Sequence, residues 1–261
     1  MSTPENLQLN RRCDLLKALQ RPGEPLLLPT VWDVATARAV VDEGYPVVAT
    51  TSWGVAGTLG YADDEAAPAD EMLAAAARIC RGVDVPVTVD TEAGYGLEPT
   101  TLVAALLAMG AAGCNLEDTN HRDESLRDQA GHAGWLRSIR QAASAHDYRL
   151  VVNARVDTFL VPYIEGAQPG SQLKLVPDAI ERANAYLAAG ADCVYPIALW
   201  QPEAVERFMA EVEGPVNLSY LPESPPLAEL SSTGVARVSW AIFLYEEAMA
   251  QFRARLTMLR S

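Results

Sequence analysis

The feature that most restricts the fold is a regular alternation of short apolar or β-branched runs with alanine-rich amphipathic segments, which continues through almost the whole chain. Eight of these runs have the composition of buried strands, at residues 26–33, 46–52, 86–92, 113–118, 149–157, 193–197, 215–220 and 235–240. Continuous apolar strands are required where helices cover both faces of a parallel sheet. The repeat therefore predicts a (β/α)8 barrel of the TIM type, with a flavodoxin-like or Rossmann sheet as the alternative.

The domain organisation is predicted to be simple. A length of 261 residues is ordinary for one α/β barrel, and no linker or low-complexity segment interrupts the repeat. We therefore predict a single barrel domain over residues 1–261, with an N-terminal extension (1–22) that contains an extra helix at residues 7–20. Residues 241–261 predict a long terminal helix whose apolar positions pack either on its own barrel or on a neighbouring subunit.

Charge and cysteine usage exclude several classes of partner. The formal net charge of −14 argues against an electrostatic interaction with nucleic acid or an anionic membrane. The four cysteines are far apart and form no CxxC pair, which is typical of reduced thiols in a cytoplasmic protein. No apolar run is long enough to span a bilayer, and the first residues lack the apolar core of a signal peptide. We predict a cytoplasmic protein that binds neither nucleic acid nor membrane.

Acidic residues follow several predicted strands, where the catalytic groups of a parallel barrel gather. If the third strand continues through residue 92, then Asp90 and Glu92 point to the same face, and Glu117 ends the next strand. Acids that converge beside Arg155 as the one evident cation repel each other, and a hard cation such as Mg²⁺ compensates this repulsion. A shared proton, plain solvent or a helix-capping role for some of these acids are the alternatives.

The loop after the second strand, TSWGVAGTLGYADDE, is long for such a connection and is typical of a lid or binding loop. Its first residues, Ser52, Trp53 and Gly54, are candidates to present backbone N–H groups to a carboxylate. Trp53 is alternatively a hydrophobic plug. Asp63 and Asp64 add two further acids near the end of the loop.

The segment NARVD alternates Asn153, Arg155 and Asp157 on one face of the fifth strand. A guanidinium group pairs with a carboxylate through two parallel hydrogen bonds, so Arg155 is the candidate for the substrate carboxylate. The alternative is an internal salt bridge from Arg155 to Asp157 or Glu117, and both roles are compatible. GxSxG, P-loop and GxGxxG motifs are absent, so a hydrolase elbow or a nucleotide site has no support.

The motifs TSWG, LGYADDE, VDTEAGYG, NLED and NARVD, in this order, resemble those of the isocitrate lyase and phosphoenolpyruvate mutase superfamily. The similarity extends from about residue 24 to residue 240, nearly the whole chain. The resemblance implies a (β/α)8 barrel, a Mg²⁺ cofactor that Mn²⁺ can replace, and a small carboxylate substrate. It also implies a homotetramer in which the last helix swaps between subunits.

The resemblance also implies roles for individual residues. They are a direct metal ligand at Asp90, water-mediated metal contacts at Asp63, Glu92 and Glu117, and substrate contacts at Ser52, Trp53, Gly54 and Arg155. Asn153, on the same strand face as Arg155, is a further candidate for contact with the substrate. Glu92 stands where many members have Asp, and its longer side chain implies that the metal shell is moved outward.

One loop departs from the family pattern. Carbon–carbon lyases of this superfamily carry KxCGH soon after the fourth strand, and phosphonomutases carry KxNS, whereas this chain has DTNHRDESLRD. Ser125 falls near the position of the missing cysteine. Classical isocitrate or methylisocitrate lyase activity is therefore not expected, and the candidates for the proton carrier are Ser125, His121 and a metal-bound water.

The sequence thus predicts a Mg²⁺-dependent lyase or hydrolase that cleaves a C–C bond in a small 2-oxo or 2-hydroxy carboxylate through a metal-stabilised enolate. One alternative is a C–P bond enzyme, for which Arg122 or Arg127 in the variable loop would supply additional positive charge. The other is a catalytically silent barrel that binds a carboxylate. The intact acid set argues against the silent barrel, because burying unused acids is costly.

Overall fold

A computed structural model describes residues 4–166, 168 and 170–260, so the predicted domain limits at residues 1 and 261 lie outside the described residues. The strands are β1 (Leu26–Leu28), β2 (Thr30–Val31), β3 (Val48–Thr50), β4 (Val87–Asp90), β5 (Gly113–Glu117), β6 (Thr119–Asn120), β7 (Ser125–Leu126), β8 (Val151–Val156), β9 (Cys193–Pro196), β10 (Asn217–Ser219) and β11 (Arg237–Ser239). The α-helices are α1 (Pro4–Ala18), α2 (Val34–Asp42), α3 (Ser52–Leu59), α4 (Ala69–Gly82), α5 (Pro99–Met109), α6 (Gln129–Ala145), α7 (Leu160–Ile164), α8 (Val176–Ala188), α9 (Pro202–Glu211), α10 (Leu227–Ser232) and α11 (Phe243–Met258).

The strands close into a parallel barrel. One parallel ladder runs β2-β3-β4-β5-β8-β9 and a second runs β1-β11-β10. The two ladders are joined on one side by a parallel bridge between Val194 and Val216. On the other side they are joined through β1 and β2, which are two halves of one strand interrupted at Pro29, a residue that has no N–H to donate. The predicted (β/α)8 barrel is confirmed, and each of its strands is shorter than the sequence predicts.

Local signals explain where several helices begin and end. The Asp33 side chain accepts a hydrogen bond from the Thr36 N–H (2.8 Å) and caps α2. Helix α5 has Pro99 in its first turn, and Gly110 ends it in the left-handed region at φ 78°. Such signals lie between the barrel strands and set the lengths of the connections.

Helix α1 covers the amino end of the barrel. Its buried residues include Cys13 and Leu16, and a Cβ on Gly113 at the start of β5 would lie 2.8 Å from the Leu16 side chain. Asn10 anchors the helix by donating to the Asp147 carbonyl (2.7 Å). The predicted extra helix at residues 7–20 is confirmed, three residues earlier at its start. The cavity described below lies at the opposite, carboxyl end.

The terminal helix α11 contacts the barrel near its start. The Trp53 indole donates to Glu246 (2.7 Å), and Tyr245 packs beside α3. No residue of α11 is buried, and Phe252 and Leu256 are exposed. The start of the helix therefore packs on its own barrel, and the swapped homotetramer stays a prediction. Among the described residues, no helix combines the length and apolarity needed to cross a membrane.

The barrel interior is unusually polar. Inward positions of such barrels mostly carry branched aliphatic side chains. Here Asn115, Asn153, Asn217 and Arg237 occupy them, alternating with outward apolar residues. Asn153 donates to the Asn115 side chain (2.9 Å), and Arg237 donates to the Asn217 side chain (2.7 Å). Burying polar side chains costs free energy, so they are expected inside a barrel where they contact a ligand. This interior therefore indicates a binding site rather than a packed core.

A buried histidine in α6 predicts a specific dependence of stability on pH. His132 packs against Trp135 and Tyr186, and its ring nitrogens have no hydrogen-bond partner among the described residues. Burial lowers the pKa of His132 to about 3, and the positive charge of Arg127 adds to the decrease. Below pH 6.5 the unfolded chain takes up a proton here that the folded protein does not, so stability falls as the pH falls. From pH 7 to pH 5 this residue should cost about 2 kcal/mol of unfolding free energy.

Urea unfolding at pH 7 and pH 5 measures this effect. His132→Phe should lose about 2 kcal/mol less than the wild type over that interval. His146→Phe, at an exposed position at the end of α6, is the matched control and should behave like the wild type. An identical pH dependence in the His132 variant and the wild type would contradict the prediction.

Candidate active site

The carboxyl ends of the strands enclose a cavity of about 210 Å³. Polar side chains from most of the barrel strands form its wall, and apolar side chains of α7 and α11, such as Leu160 and Phe243, line its rim. A cavity of this size matches a small organic acid. Of the predicted site residues, it is lined by Ser52, Trp53, Asp63, Asp90 and Arg155.

Asp90 and the first turn of α3 meet in the cavity wall. The Ser52 backbone N–H donates to Asp90 Oδ2 (3.0 Å), and the Asp90 N–H donates to Thr50 Oγ1 (2.8 Å). Asp90 Oδ1 is buried and has no partner among the described residues. The first N–H groups of a helix have no acceptor within it, so those of Trp53 and Gly54 are available to an anion, which the helix dipole also favours.

Glycine is required where α11 approaches α3. A Cβ on Gly54 would lie 2.8 Å from the Trp32 Cβ, and a Cβ on Gly57 would lie 2.6 Å from the Tyr245 hydroxyl. Trp53 is 39% exposed and donates its indole N–H to Glu246 of α11. The TSWG motif therefore both borders the cavity and forms the contact with the terminal helix.

Of the two adjacent acids in the loop after β3, which both border the cavity, Asp63 is the more buried. Asp63 Oδ1 is buried and has no partner among the described residues. Burial raises the pKa of Asp63 to about 6; the charge of Asp90 adds to the increase, and a hydrogen bond from the Ser52 side chain opposes it. The Asp64 side chain is 79% exposed and lies 3.6 Å from His121 Nδ1. The structure thus brings Asp63 and Asp90 together.

Glu92 does not lie on the strand where the sequence predicts it. Strand β4 ends at Asp90, and Glu92 lies beyond it in the left-handed region (φ 46°), so alternation along a strand does not place the two carboxylates on one face. The Glu92 carboxylate accepts the Glu65 N–H (2.5 Å), and the Glu65 carboxylate accepts the Tyr95 N–H. We call this pair of contacts the Glu65–Glu92 interlock. Burial raises the pKa of Glu92 to about 8, and the charge of Asp63 adds to the increase.

A buried ion network holds Arg155. Its guanidinium donates to both oxygens of Asp157 (2.7 and 2.8 Å) and lies 2.5 Å from Glu117. His121 Nε2 lies 2.5 Å from the other Glu117 oxygen. Burial raises the pKa of Glu117 well above its usual range, and the charge of Arg155 opposes the increase. The internal salt bridge is therefore present, although Arg155 also lines the cavity.

Six predicted site residues are absent from the cavity lining: Gly54, Glu92, Glu117 and His121, whose positions are given above, and also Asn153 and Ser125. Asn153 is fully buried one layer below Arg155, where it donates to Asn115. Ser125 is exposed on the β6–β7 hairpin, and its hydroxyl donates to Asp123 (2.6 Å). The substrate contact of Asn153 and the proton-carrier role of Ser125 stay predictions.

Several wall residues were missed by sequence reasoning. Tyr195, Arg237 and Ser239 project from β9 and β11 into the cavity, and the Tyr195 hydroxyl lies 2.7 Å from Ser219 Oγ. The available signal is alternation along VARVSW, which places Arg237 and Ser239 on the inward face. An arginine on the inward face of a barrel strand is unusual enough to be noted from the sequence alone.

The acids fit a hard divalent cation that takes few ligands from the protein. Among the described residues, no three His, Cys, Asp or Glu side chains are grouped closely enough to hold a metal ion by themselves. The unpartnered oxygens of Asp90 and Asp63 are hard donors in the cavity wall. Mg²⁺ commonly binds one or two carboxylates and retains several waters, which is compatible with this donor set.

Known proteins share both the sequence pattern and the fold. The family described as phosphoenolpyruvate phosphomutase matches residues 16–260. An oxaloacetate decarboxylase of Rhodopseudomonas palustris (strain BisB5) is 30% identical over 226 residues, covering 85% of this chain and 73% of the relative. A provisionally assigned 2-methylisocitrate lyase 2 of Corynebacterium glutamicum is 30% identical over 257 residues, covering 94% and 80%. The crystal structure of a Burkholderia cenocepacia J2315 protein, provisionally assigned as a phosphonomutase, has a TM-score of 0.88 and 37% identity, covering 95% of this chain and all of that one.

Proposed function

The chain belongs to the phosphoenolpyruvate phosphomutase family and is an enzyme of the isocitrate lyase and phosphoenolpyruvate mutase superfamily, and from this premise we propose a specific reaction. It is a Mg²⁺-dependent lyase or hydrolase that cleaves a C–C bond in a small 2-oxo or 2-hydroxy carboxylate. The proposal rests on two buried carboxylate oxygens, one of Asp90 and one of Asp63, beside the first turn of α3. Neither oxygen has a hydrogen-bond partner among the described residues.

Different residues around the cavity would bind the substrate carboxylate and the metal ion. The N–H groups of Trp53 and Gly54 bind the substrate carboxylate at the helix end. Asp90 and Asp63 would hold Mg²⁺ or Mn²⁺, and Glu92 and Glu117 would act through waters bound to the ion. When bound, that ion supplies the positive charge that stabilises an enolate-like anion during bond cleavage.

His121 is better placed than Ser125 to hold a proton. Its side chain is buried between Glu117, 2.5 Å from Nε2, and Asp64 of the lid, 3.6 Å from Nδ1. Glu117 in turn contacts Arg155 in the cavity wall. A proton held at His121 is thus connected to the cavity through side chains, whereas Ser125 points to solvent from its hairpin.

A C–P bond enzyme is the second candidate, because of the 37% identity to the provisionally assigned phosphonomutase. A phosphonate carries more negative charge than a carboxylate and needs more positive groups around it. Among the described residues that line the cavity, only Arg155 and Arg237 are cationic. Arg122 is exposed, and the Arg127 guanidinium lies over the Trp135 ring, 5.9 Å from its centre. The cavity therefore favours C–C chemistry.

Proton NMR of the purified protein distinguishes these functions. Oxaloacetate, substituted malates, methylisocitrate and phosphonopyruvate are followed over time with Mg²⁺ and with EDTA, and deuterium incorporation into pyruvate is scored as well. We expect EDTA-sensitive C–C cleavage of at least one carboxylate. Phosphate release from phosphonopyruvate would instead establish the C–P reaction. Metal-independent turnover, or no turnover and no exchange with any acid, would contradict the proposal.

A further inference from the structure

A fully buried carboxylate joins two segments that carry site residues. Asp118, the last residue of the NLED motif, accepts the Asp157 N–H at Oδ1 (2.9 Å) and the Arg127 N–H at its carbonyl oxygen (2.7 Å). Asp157 follows β8 and pairs with Arg155. Arg127 follows the β6–β7 hairpin, which carries His121. Asp118 is therefore bonded both to the end of β8 and to the base of the hairpin.

Arg182 of α8 completes this junction. Its side chain is 11% exposed, and its Nη1 donates to Asp118 Oδ2 (3.1 Å) and to the Arg127 carbonyl (3.0 Å). Its Nε donates to Asp178 (3.0 Å), and the Tyr186 hydroxyl, one turn further along α8, donates to Asp118 Oδ2 (2.6 Å). The two ends of the hairpin, residues 118 and 127, are thus bonded to each other and to α8. We call Asp118, Arg182 and Tyr186 the α8 clamp.

The charges of the α8 clamp fix positions more than they add stability. Removing a carboxylate and a guanidinium from water costs about as much free energy as their attraction returns, and apolar side chains of similar volume are often as stable. Hydrogen bonds to a carboxylate and a backbone carbonyl, by contrast, set distances and directions that apolar contacts do not. Residues 122–126 of the hairpin are exposed, so packing holds the hairpin weakly. Its placement therefore depends strongly on the bonds at its base.

We propose that Arg182 is a positioning residue for the reaction, which acts through Asp118 on the base of the hairpin and on the end of β8. The inference rests on the proposed function, in which His121 holds a proton. His121 Nε2 and Arg155 Nη2 each lie 2.5 Å from one of the two oxygens of Glu117. Movement of the hairpin or of the end of β8 would therefore separate the proton at His121 from the cavity wall.

Steady-state kinetics test this role with oxaloacetate, a substituted malate or methylisocitrate, whichever acid the wild type cleaves. Arg182→Met should lower kcat by about 10- to 100-fold, because misplacing a reacting group by about 1 Å costs up to that much. KM should stay close to the wild-type value, since the substrate carboxylate lies at the first turn of α3 and the α8 clamp does not touch it. Arg182→Lys keeps the charge, should lose less activity, and serves if the methionine variant does not fold.

Hydrogen–deuterium exchange measures the position of the hairpin without any turnover. In Arg182→Met, peptides that cover residues 119–127 should exchange at least about 10-fold faster than in the wild type, as expected for the loss of charge-assisted hydrogen bonds. Tyr186→Phe removes one donor to Asp118 and keeps Arg182, so its effect on exchange should be smaller.

Arg140→Met is the matched control for a purely structural role. Arg140 is also a helix arginine that donates to backbone carbonyls, of Gly190 and Leu150, and to the carboxylate of Asp192. These partners precede β8 and β9, at the amino end of the barrel. Arg140→Met should lower the unfolding temperature and leave kcat and the exchange of residues 119–127 unchanged.

The outcomes separate the inference from the proposed function. Unchanged exchange at residues 119–127 in Arg182→Met would overturn the role of the α8 clamp, whatever the kinetics show. Equal losses of kcat in Arg182→Met and Arg140→Met, or a higher KM with unchanged kcat, would overturn the positioning role. If the wild type cleaves none of the acids, the proposed function fails and the positioning role falls with it, and faster exchange would then describe a structural clamp alone.

Discussion

Asp90→Asn should lower metal-dependent turnover by at least about 100-fold, because changes to groups that only support a metal ligand already cost 10- to 100-fold. The same substitution should not destabilise the metal-free protein. The new side chain would still accept the Ser52 N–H through its amide oxygen, while the substitution removes the charge of a half-buried carboxylate whose Oδ1 lacks a partner among the described residues. Loss of activity without loss of stability is the combination expected of a residue kept for function.

Turnover on the responding acid and thermal unfolding with EDTA or Mg²⁺ measure both effects. Mg²⁺ should raise the unfolding temperature of the wild type and not that of the Asp90 variant, because only the wild type binds the ion. Asp84→Asn is the matched control, since Asp84 is an exposed acid before the opposite end of the same strand. Wild-type activity in Asp90→Asn would remove Asp90 from the metal site.

Arg155→Met should be the most destabilising single substitution near the cavity. It leaves Glu117 and Asp157 as two buried carboxylates without the cation that lies within 2.8 Å of each. Breaking a buried ion pair in this way costs about 3–5 kcal/mol. For a chain of this size that corresponds to a decrease of about 6–20 °C in the unfolding temperature.

Urea and thermal unfolding of two further variants show whether the loss comes from the uncompensated carboxylates. The double variant Arg155→Met with Asp157→Asn should be more stable than Arg155→Met alone, because one of the two stranded charges is gone. Arg207→Met removes an arginine from an exposed pair with Glu211 and should change stability by less than about 0.5 kcal/mol. A loss below about 1 kcal/mol for Arg155→Met would contradict a charged, buried network.

The barrel and most of its strand positions could be predicted because they depend on patterns within short segments. Eight apolar runs separated by amphipathic segments are enough to predict the (β/α)8 barrel, and Asp90 follows from its place at the carboxyl end of a strand. Asp63 was assigned to the site only through the family resemblance of the LGYADDE loop. Residues such as Asp90 are predictable because the end of a strand is both a local signal and the place where the site forms.

Features that depend on non-local contacts or on backbone conformation were not predictable. Strand β4 ends two residues earlier than predicted, and Glu92, which follows it, has a positive φ. The Glu92 carboxylate accepts a hydrogen bond from the Glu65 N–H of a distant loop. The salt bridges of Arg155 with Asp157 and Glu117 remained one of two alternatives. The sequence pattern predicts that these groups lie near each other, but not whether they bind each other or a substrate. Alternation along VARVSW predicts that Arg237 points inward, but the lack of a partner for its Nη1 is visible only in the three-dimensional arrangement of the described residues.

The Glu65–Glu92 interlock has a consequence for exchanging parts between relatives. Glu65 belongs to the lid loop and Glu92 and Tyr95 to the loop after β4, and all three hold left-handed backbone conformations that are stabilised by bonds between the two loops. A lid transplanted alone would lack the Glu92 carboxylate that accepts the Glu65 N–H. Residues 60–68 and 91–97 therefore form one transferable cassette, and chimeras that move both segments together should keep the lid in place.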